Sequence, residues 1–385
     1  MVAEQRCRAL QESMREENLA AIITVTPENI LSLTGFWPSY WVSASILLSE
    51  GHPIVITGES EADFVPTEFC GELVLYDFER PESFFQSLLR VLKQEGAVDA
   101  RLGIELTMKT VAGSHVGGEV FVPGEWIFER FRTILPRARW ADVSPLLAKA
   151  RAVKDETEIL KIRHCYEIGI AALREAKSEL RPGCKEIELA ASVESYFQTR
   201  AIGGHHTARA RAYAFVMSGP RSGGRCAWGP YNFSTSRAIC PGDLVLVELD
   251  AVLDGYWIDL TRTWVCGDWS DKQRKLYATV SSIQSEMASR IKPGLSVSVV
   301  DSIFRNILKD AGLDRFCPHG VGHGVGFAFH EEPYLDPQKE PETKILSGMV
   351  LALEPAAYID GWGGVRLEDE YVVGMDGCNL LIKEQ

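Results

Sequence analysis

Three of the chain's eight histidines stand within twelve positions of one another: His319, His323 and His330 in HGVGHGVGFAFHEEP. Acidic residues lie on either side of this segment. Glu248, Asp250 and Asp259 precede it in LVLVELDAVLDGYWIDLTRTWV, and Glu354 (LALEP) and Glu368 (GVRLED) follow it. A histidine with four or five carboxylates is a hard, oxygen-rich donor set, suited to Mn²⁺, Fe²⁺, Co²⁺ or Zn²⁺. Four carboxylate charges neutralise two divalent ions. Two ions held ~3.5–4 Å apart can bind and polarise a hydroxide and stabilise a tetrahedral oxyanion. The glycines between the histidines let the backbone approach something closely. The run has neither the spacing of a dinucleotide loop nor the Lys-Ser/Thr of a P-loop, so phosphate cradling is not expected.

The elements that carry these acids read as β-ribbons. Asp254-Gly255 between two β-rich runs is a hairpin turn. With that turn, positions whose numbers sum to 509 face each other, so Asp250 lies opposite Asp259. Glu248 is two residues along on the same face, because side chains alternate. Like charges this close must share a proton or hold a cation, and the flanking Val245, Val247, Leu249 and Leu253 argue for a buried ribbon. A second strand pair is expected over 349–373. There Glu354 and Glu368 are fourteen apart (368 − 354), bracket the glycine-rich turn at 361–364 and share a face.

The ribbons belong to a repeat. One half reads helix (155–180), Arg181-Pro182-Gly183, helix (186–200), strand pair (244–265). The other reads helix (271–291), Lys292-Pro293-Gly294, helix (296–311), strand pair (349–373). Proline–glycine stops a helix, and the recurrence of the whole order implies two similar halves about a pseudo-twofold axis. Asp155 with Glu158 reads as a capping-box variant. The third helix carries Leu276, Val280, Ile283, Met287 and Ile291 on one face. Before this repeat, apolar runs at 20–25, 44–48, 53–57, 73–77 and 102–106 alternate with helical stretches such as 83–94, the pattern of an α/β domain. The join falls near 146–154, giving domains 1–148 and 149–385. His52 and His115 in the first domain read as surface or structural histidines.

Composition agrees with two soluble domains. There are 385 residues, 46% apolar and 24% charged, and a domain takes roughly 100–200 residues. With no apolar run of ~18 residues, no membrane-spanning helix is expected. The charged, amphipathic start does not read as a secretory signal, which points to the cytoplasm. A formal charge of −13 works against a nucleic-acid or anionic-membrane partner. Nine scattered cysteines, none in a C-x-x-C pair, argue against a disulfide framework or thiolate zinc site.

The motifs together resemble the "pita-bread" metallopeptidases, a group that includes methionine aminopeptidase, Xaa-Pro aminopeptidase and prolidase, with creatinase as a metal-free relative. TPENILSLTGF and RAVKDETEILKIR resemble the family's N-terminal region and the entry to its catalytic domain. GYWIDLTRT, HGVGHGVGFAFHEEP, LALEP and GVRLED match its catalytic motifs in order and approximate spacing. The resemblance implies an α+β pita-bread catalytic domain with internal pseudo-twofold duplication, preceded by a smaller α/β creatinase-type domain. It places Asp259, His323, Glu354 and Glu368 on metal-ligand positions. His330 falls on the histidine that contacts substrate and the tetrahedral intermediate, Arg366 on a bracing residue, and Glu354 also on the acceptor of the water proton. The family's first ligand is an aspartate eleven residues before the second. Here that position is Glu248, and either Glu248 reaches the metal or Asp250 takes over. The family also carries a peptide-gripping histidine between Ser218-Gly219 and the first hairpin. No histidine lies there; Tyr231 stands near that position with Trp228 close by, and both join His319 as substrate-binding candidates.

The activity expected is hydrolysis of an amide bond through a metal-bridging hydroxide, by an Xaa-Pro aminopeptidase or dipeptidase acting on a small peptide. Two divalent ions are expected, Mn²⁺ or Co²⁺ first and Zn²⁺ or Fe²⁺ as alternatives, in a homodimer. Two other readings stand beside it: a C–N hydrolase of a small amide, creatinase- or ectoine hydrolase-like, and a non-catalytic protein that keeps the fold. For the small-amide reading, Trp37, Tyr40 and Trp41 could wall a cationic ligand.

Overall fold

A computed structural model describes residues 2–38, 42–80, 82–106, 125–203, 209–228, 233–336, 338 and 341–382. The chain forms two compact units, Met1–Arg151 and Ala152–Gln385.

In the first unit the strands are β1 (Ala21–Thr24), β2 (Ala44–Leu48), β3 (Ile54–Gly58), β4 (Glu72–Tyr76), β5 (Arg101–Ile104) and β6 (Arg139–Asp142). The helices are α1 (Val2–Glu17), α2 (Pro27–Thr34), α3 (Glu82–Gln94), α4 (Glu125–Ile134) and α5 (Ser144–Ala152). The strands make one mixed sheet in the order β4-β3-β2-β1-β5-β6. All five apolar runs are strands, their ends displaced by a residue or two. The sixth strand, β6 (RWAD), has no apolar run and owes its state to pairing with β5. Phe84, Phe85, Leu88, Val91 and Leu92 of α3 are buried with the sheet's apolar face. The 146–154 stretch, expected to be a join, is largely the helix α5. His52 is exposed; His115, Tyr40 and Trp41 lie outside the described residues.

The second unit begins with α6 (Glu156–Glu179), α7 (Glu186–Gly203), β7 (Ala210–Ser218), β8 (Leu244–Leu253) and β9 (Tyr256–Val265). It continues with α8 (Asp271–Arg290), α9 (Val297–Asp310), β10 (Gly322–Gly324) and β11 (Glu331–Tyr334). The chain then forms β12 (Val350–Leu353), β13 (Ala356–Ile359), β14 (Gly363–Arg366), β15 (Asp369–Val373) and β16 (Cys378–Leu380). Asp155 caps α6 in a complete capping box with Glu158. The repeat is present in atomic detail. The amide of Gly183 donates to Ile239 O and that of Gly294 to Ile345 O, each at 2.8 Å. Just beyond each glycine, Lys185 bridges to Ala238 and Ser296 to Lys344.

The first ribbon follows the expected register. Asp254 and Gly255 take φ of +47° and +86°, the left-handed pair a two-residue primed turn requires. Asp250 then faces Asp259, and Glu248 faces Thr261. The sequence did not announce β7, which pairs with β8 along its whole length. The second ribbon departs from the single strand pair expected over 349–373. It keeps one register, positions summing to 722, but is interrupted between β12·β15 and β13·β14. The interruption has a physical cause. At the break the amide of Glu354 donates to Val321 O, and that of Glu368 to Thr261 O, instead of to each other. Pro355 has no amide to offer. The two glutamates therefore sit where the second ribbon is stitched to β9 and to the segment entering β10.

Helices back the ribbons. α6 packs on β8 and β9, and α8 packs on β12, β13 and β14. The expected face of α8, Leu276 through Ile291, joins Phe304, Leu351, Leu353 and Val365 in one core. All nine cysteines are free. No described helix is long and apolar enough to cross a membrane.

Candidate metal centre

Alternation along β8 and β9 turns Leu249 and Leu260 to one face and Glu248, Asp250 and Asp259 to the other. The DLTRT run of β9 then ties the second ribbon in place. Thr261 Oγ1 donates to Glu368 Oε2 at 2.7 Å, and Thr263 Oγ1 to Arg366 O at 2.9 Å. Arg262 holds Asp369 at 2.5 Å. The amide of Asp259 donates to Glu370 Oε1 at 2.8 Å. Each polar residue of the motif thus has a structural duty besides any chemical one.

β10 brings His323 between the ribbons, with its neighbours buried against other strands. A Cβ on Gly322 would lie 1.9 Å from Ala352 O, so the close approach expected of this glycine is to the chain's own β12. His323 Nδ1 lies 3.0 Å from Gly324 O. A carbonyl only accepts, so Nδ1 carries a proton, and Nε2 is the nitrogen turned to the acids. From Nε2 it is 3.5 Å to Asp259 Oδ2, 3.9 Å to Glu354 Oε1 and 4.0 Å to Glu368 Oε1. His330 Nε2 is 3.3 Å from the same Asp259 oxygen, and the two imidazoles are tilted 43° to each other with centroids 3.7 Å apart.

Asp250, Asp259, Glu368 and His323 form a buried floor, while Glu354, His319 and His330 are partly open. Burial, with Asp259 and Glu248 adding repulsion, pushes Asp250 well above the usual carboxylate range. Burial, Asp259 and Glu354 do the same to Glu368. Burial also pushes Asp259 up, but His323 and His330 outweigh it and hold that carboxyl well below the range. His323 is driven down by burial and more strongly up by Asp259 and Glu354. His330 is lowered, by burial and by His323.

Arg366, buried, ion-pairs with Glu248, donates to Thr261 Oγ1 at 2.9 Å and to Ala227 O at 2.9 Å. It also lies 3.2 Å from the Tyr358 hydroxyl, which is 3.2 Å from His319 Nε2. His319 Nδ1 is 2.8 Å from Gly320 O. The donors fix the direction of this chain: Arg366 donates to Tyr358, Tyr358 to His319, and His319 to Gly320. Burial lowers the His319 pKa, in keeping with a neutral ring. Tyr358 escaped the sequence reading. Its one signal is its even offset from Glu354, the parity shared by Arg366 and Glu368. Glu370, Lys154 and Glu331 were missed too. Trp228 follows Ala227, whose carbonyl meets Arg366, and its indole is exposed; Tyr231 lies outside the described residues.

The donor set fits divalent cations. Neither carboxylate oxygen of Asp250, nor Asp259 Oδ1, nor His323 Nε2 has a hydrogen-bond partner among the described residues, and all are buried. Such groups are costly without a partner. The ligand atoms also cluster: Glu248, Asp250 and Asp259 in one group and His323, Glu354 and Glu368 in another, each within 4.8 Å.

Comparison with known proteins agrees. The profile of metallopeptidase family M24 matches residues 160–374, and that of the creatinase/prolidase N-terminal domain matches 6–153. The chain is similar to the Xaa-Pro dipeptidase of Pyrococcus horikoshii, 29% identical over 100% of this chain and 98% of the relative. It is also similar to that of Pyrococcus furiosus, 28% identical over 99% of each. Among solved structures, the prolidase from Pyrococcus horikoshii OT3 superposes with a TM-score of 0.80 at 26% identity, covering 99% of both chains. The prolidase from Pyrococcus furiosus superposes at 0.78 with 27% identity, covering 97% of this chain and 99% of that one.

Proposed function

The chain belongs to metallopeptidase family M24, and on that premise we propose that it hydrolyses the amide bond of short Xaa-Pro peptides, as an Xaa-Pro dipeptidase or aminopeptidase. The observation that carries this reading is the convergence of Glu248, Asp250, Asp259, His323, Glu354 and Glu368, with buried atoms of Asp250, Asp259 and His323 that have no hydrogen-bond partner among the described residues. These six residues would hold two divalent ions, Mn²⁺ or Co²⁺ in the first instance and Zn²⁺ or Fe²⁺ as alternatives. Ions bound there supply Lewis acidity, which polarises the scissile carbonyl and makes a water acidic.

The protein's own groups do the rest. Glu354, on the open side, accepts the proton of the attacking water and returns it to the leaving amine. His330, also on the open side, supports the carbonyl oxygen as charge develops there. Arg366 orients Glu248 and Glu368 and balances part of the acidic charge. His319, held neutral and directed by Tyr358, lies on the substrate side, with Trp228 and Tyr231 as further substrate contacts. The same reading has the chain working as a homodimer.

The test is hydrolysis of Ala-Pro and Gly-Pro by chelator-stripped protein, with and without added Mn²⁺ or Co²⁺. We expect turnover that depends on the metal. No cleavage of either dipeptide at saturating Mn²⁺ and Co²⁺ would remove the peptidase assignment, and cleavage of creatine- or ectoine-like amides in its place would move the activity to a small-molecule C–N bond.

A further inference from the structure

The first unit holds a cluster of ligand-type side chains of its own. Glu4, His52 and Cys70 each bring one ligand atom, and the three atoms lie within 4.8 Å of one another. Glu4 is on α1, His52 in the turn between β2 and β3, and Cys70 in the segment leading into β4, so no spacing motif links them. Their segments are held in place by hydrogen bonds to the backbone. The amide of Cys70 donates to Thr34 O at 2.9 Å. The Gln11 side chain, further along α1, donates to Leu48 O at 3.0 Å and to Gly51 O at 2.9 Å, which ties the His52 turn to the helix.

The geometry suits a tetrahedral ion. Cys70 Sγ lies 3.7 Å from His52 Nδ1. Zinc bonds of about 2.3 Å to sulfur and about 2.05 Å to nitrogen, at a tetrahedral angle, put those two atoms about 3.6 Å apart. A Cys70 thiolate and the Glu4 carboxylate supply two negative charges against one divalent ion, and the imidazole enters neutral. Thiolate with imidazole selects Zn²⁺ over hard ions such as Mg²⁺ or Ca²⁺. Cys70 is buried, Glu4 half-buried and His52 exposed, so solvent reaches the cluster from the His52 side. Burial, with Glu4 adding repulsion, raises the Cys70 thiol; it keeps its proton until a cation arrives, and binding releases that proton to water. The exposed Arg8 guanidinium, 3.9 Å from Glu4, is a weak competitor. We propose that Glu4, His52 and Cys70 bind one Zn²⁺, completed by water, which staples α1 to the β2–β3 turn and to the approach of β4. None of its ligands comes from the ribbons, so its occupancy is independent of the peptidase centre.

The experiment uses full-length protein, reduced and stripped of metal, titrated with Co²⁺ as the spectroscopic stand-in for Zn²⁺. A thiolate bound to Co²⁺ gives a charge-transfer absorption in the near ultraviolet, which the oxygen and imidazole ligands of the ribbon centre do not give. The expected result is this band in wild-type protein and its loss when Zn²⁺ displaces the Co²⁺. Cys70→Ser should abolish the band. His52→Ala, at an exposed position that leaves the core undisturbed, should weaken the binding that produces it by at least about tenfold. Cys7→Ser should keep the band, because the buried Cys7 thiol is directed to Leu33 O at 3.5 Å. Elemental analysis after Zn²⁺ loading should count one ion fewer per chain in Cys70→Ser than in wild type. Absence of the band from wild-type protein, or a band unchanged in Cys70→Ser or in His52→Ala, overturns the proposal and leaves the peptidase reading untouched.

Discussion

Asp250 and Asp259 face each other directly across the β8–β9 ribbon, yet their environments drive them in opposite directions. Burial and neighbouring acids raise Asp250 well above its ordinary value of 3.8, while His323 and His330 hold Asp259 below the same value. The raised member stabilises the fold while it keeps its proton. That contribution is fully present below about pH 4 and is lost as pH rises through the higher folded pKa. Glu368 and Glu370 are raised by burial too and act in the same sense. Asp259 acts oppositely: its contribution is present above 3.8 and fades as pH falls below it.

Metal-free protein should therefore lose stability as pH climbs from about 4 toward neutrality, and Asp250→Asn should flatten that decline. Thermal melts across this range in the presence of chelator measure it. Parallel slopes for wild type and variant would show that Asp250 is not the group responsible.

Lys154 and Glu331 form an ion pair at 2.6 Å with both side chains essentially inaccessible, 0% and 2% exposed. Lys154 also donates to Ala152 O, and Glu331 accepts from the amide of Phe327, so the pair anchors the segment that carries His330. Breaking a buried pair costs far more than the pair contributes when intact, about 3–5 kcal/mol when one partner is lost. Lys154→Met should be destabilised by that order in denaturant titration, and adding Glu331→Gln should restore part of the loss. A double variant no more stable than the single would argue against the pair.

The parts of this molecule legible in its sequence were those set by local rules. Asp254-Gly255 fixed a turn, the turn fixed a register, and the register brought Asp250 to Asp259. Asp155 and Glu158 announced a helix start, and two Pro-Gly stops exposed the repeat. What stayed hidden depends on partners distant in the chain. β6 has no pattern of its own, and the break in the second ribbon arises because Glu354 and Glu368 bond to other segments. Lys154 and Glu331 stand 177 positions apart (331 − 154), and no periodicity connects them. The Glu248–Arg366 pair was similarly invisible, although each residue had been singled out separately.

Tyr358 relays Arg366 to His319 through a single hydroxyl. Tyr358→Phe removes both hydrogen bonds and leaves the His319 Nε2 acceptor without its donor. A stability loss of about 1–3 kcal/mol is expected, with the larger effect on KM if His319 orients the substrate. Steady-state kinetics on Ala-Pro alongside denaturant unfolding separates the two effects. Unaltered KM and stability would exclude the relay.

The central claim is that the acids of both ribbons and the His323 imidazole hold divalent ions together. A crystal soaked in Mn²⁺ and measured for anomalous scattering at the manganese edge tests it most directly. The account requires anomalous density among Glu248, Asp250, Asp259, His323, Glu354 and Glu368. Density elsewhere, or none at saturating Mn²⁺ with the six side chains unmoved, would contradict it.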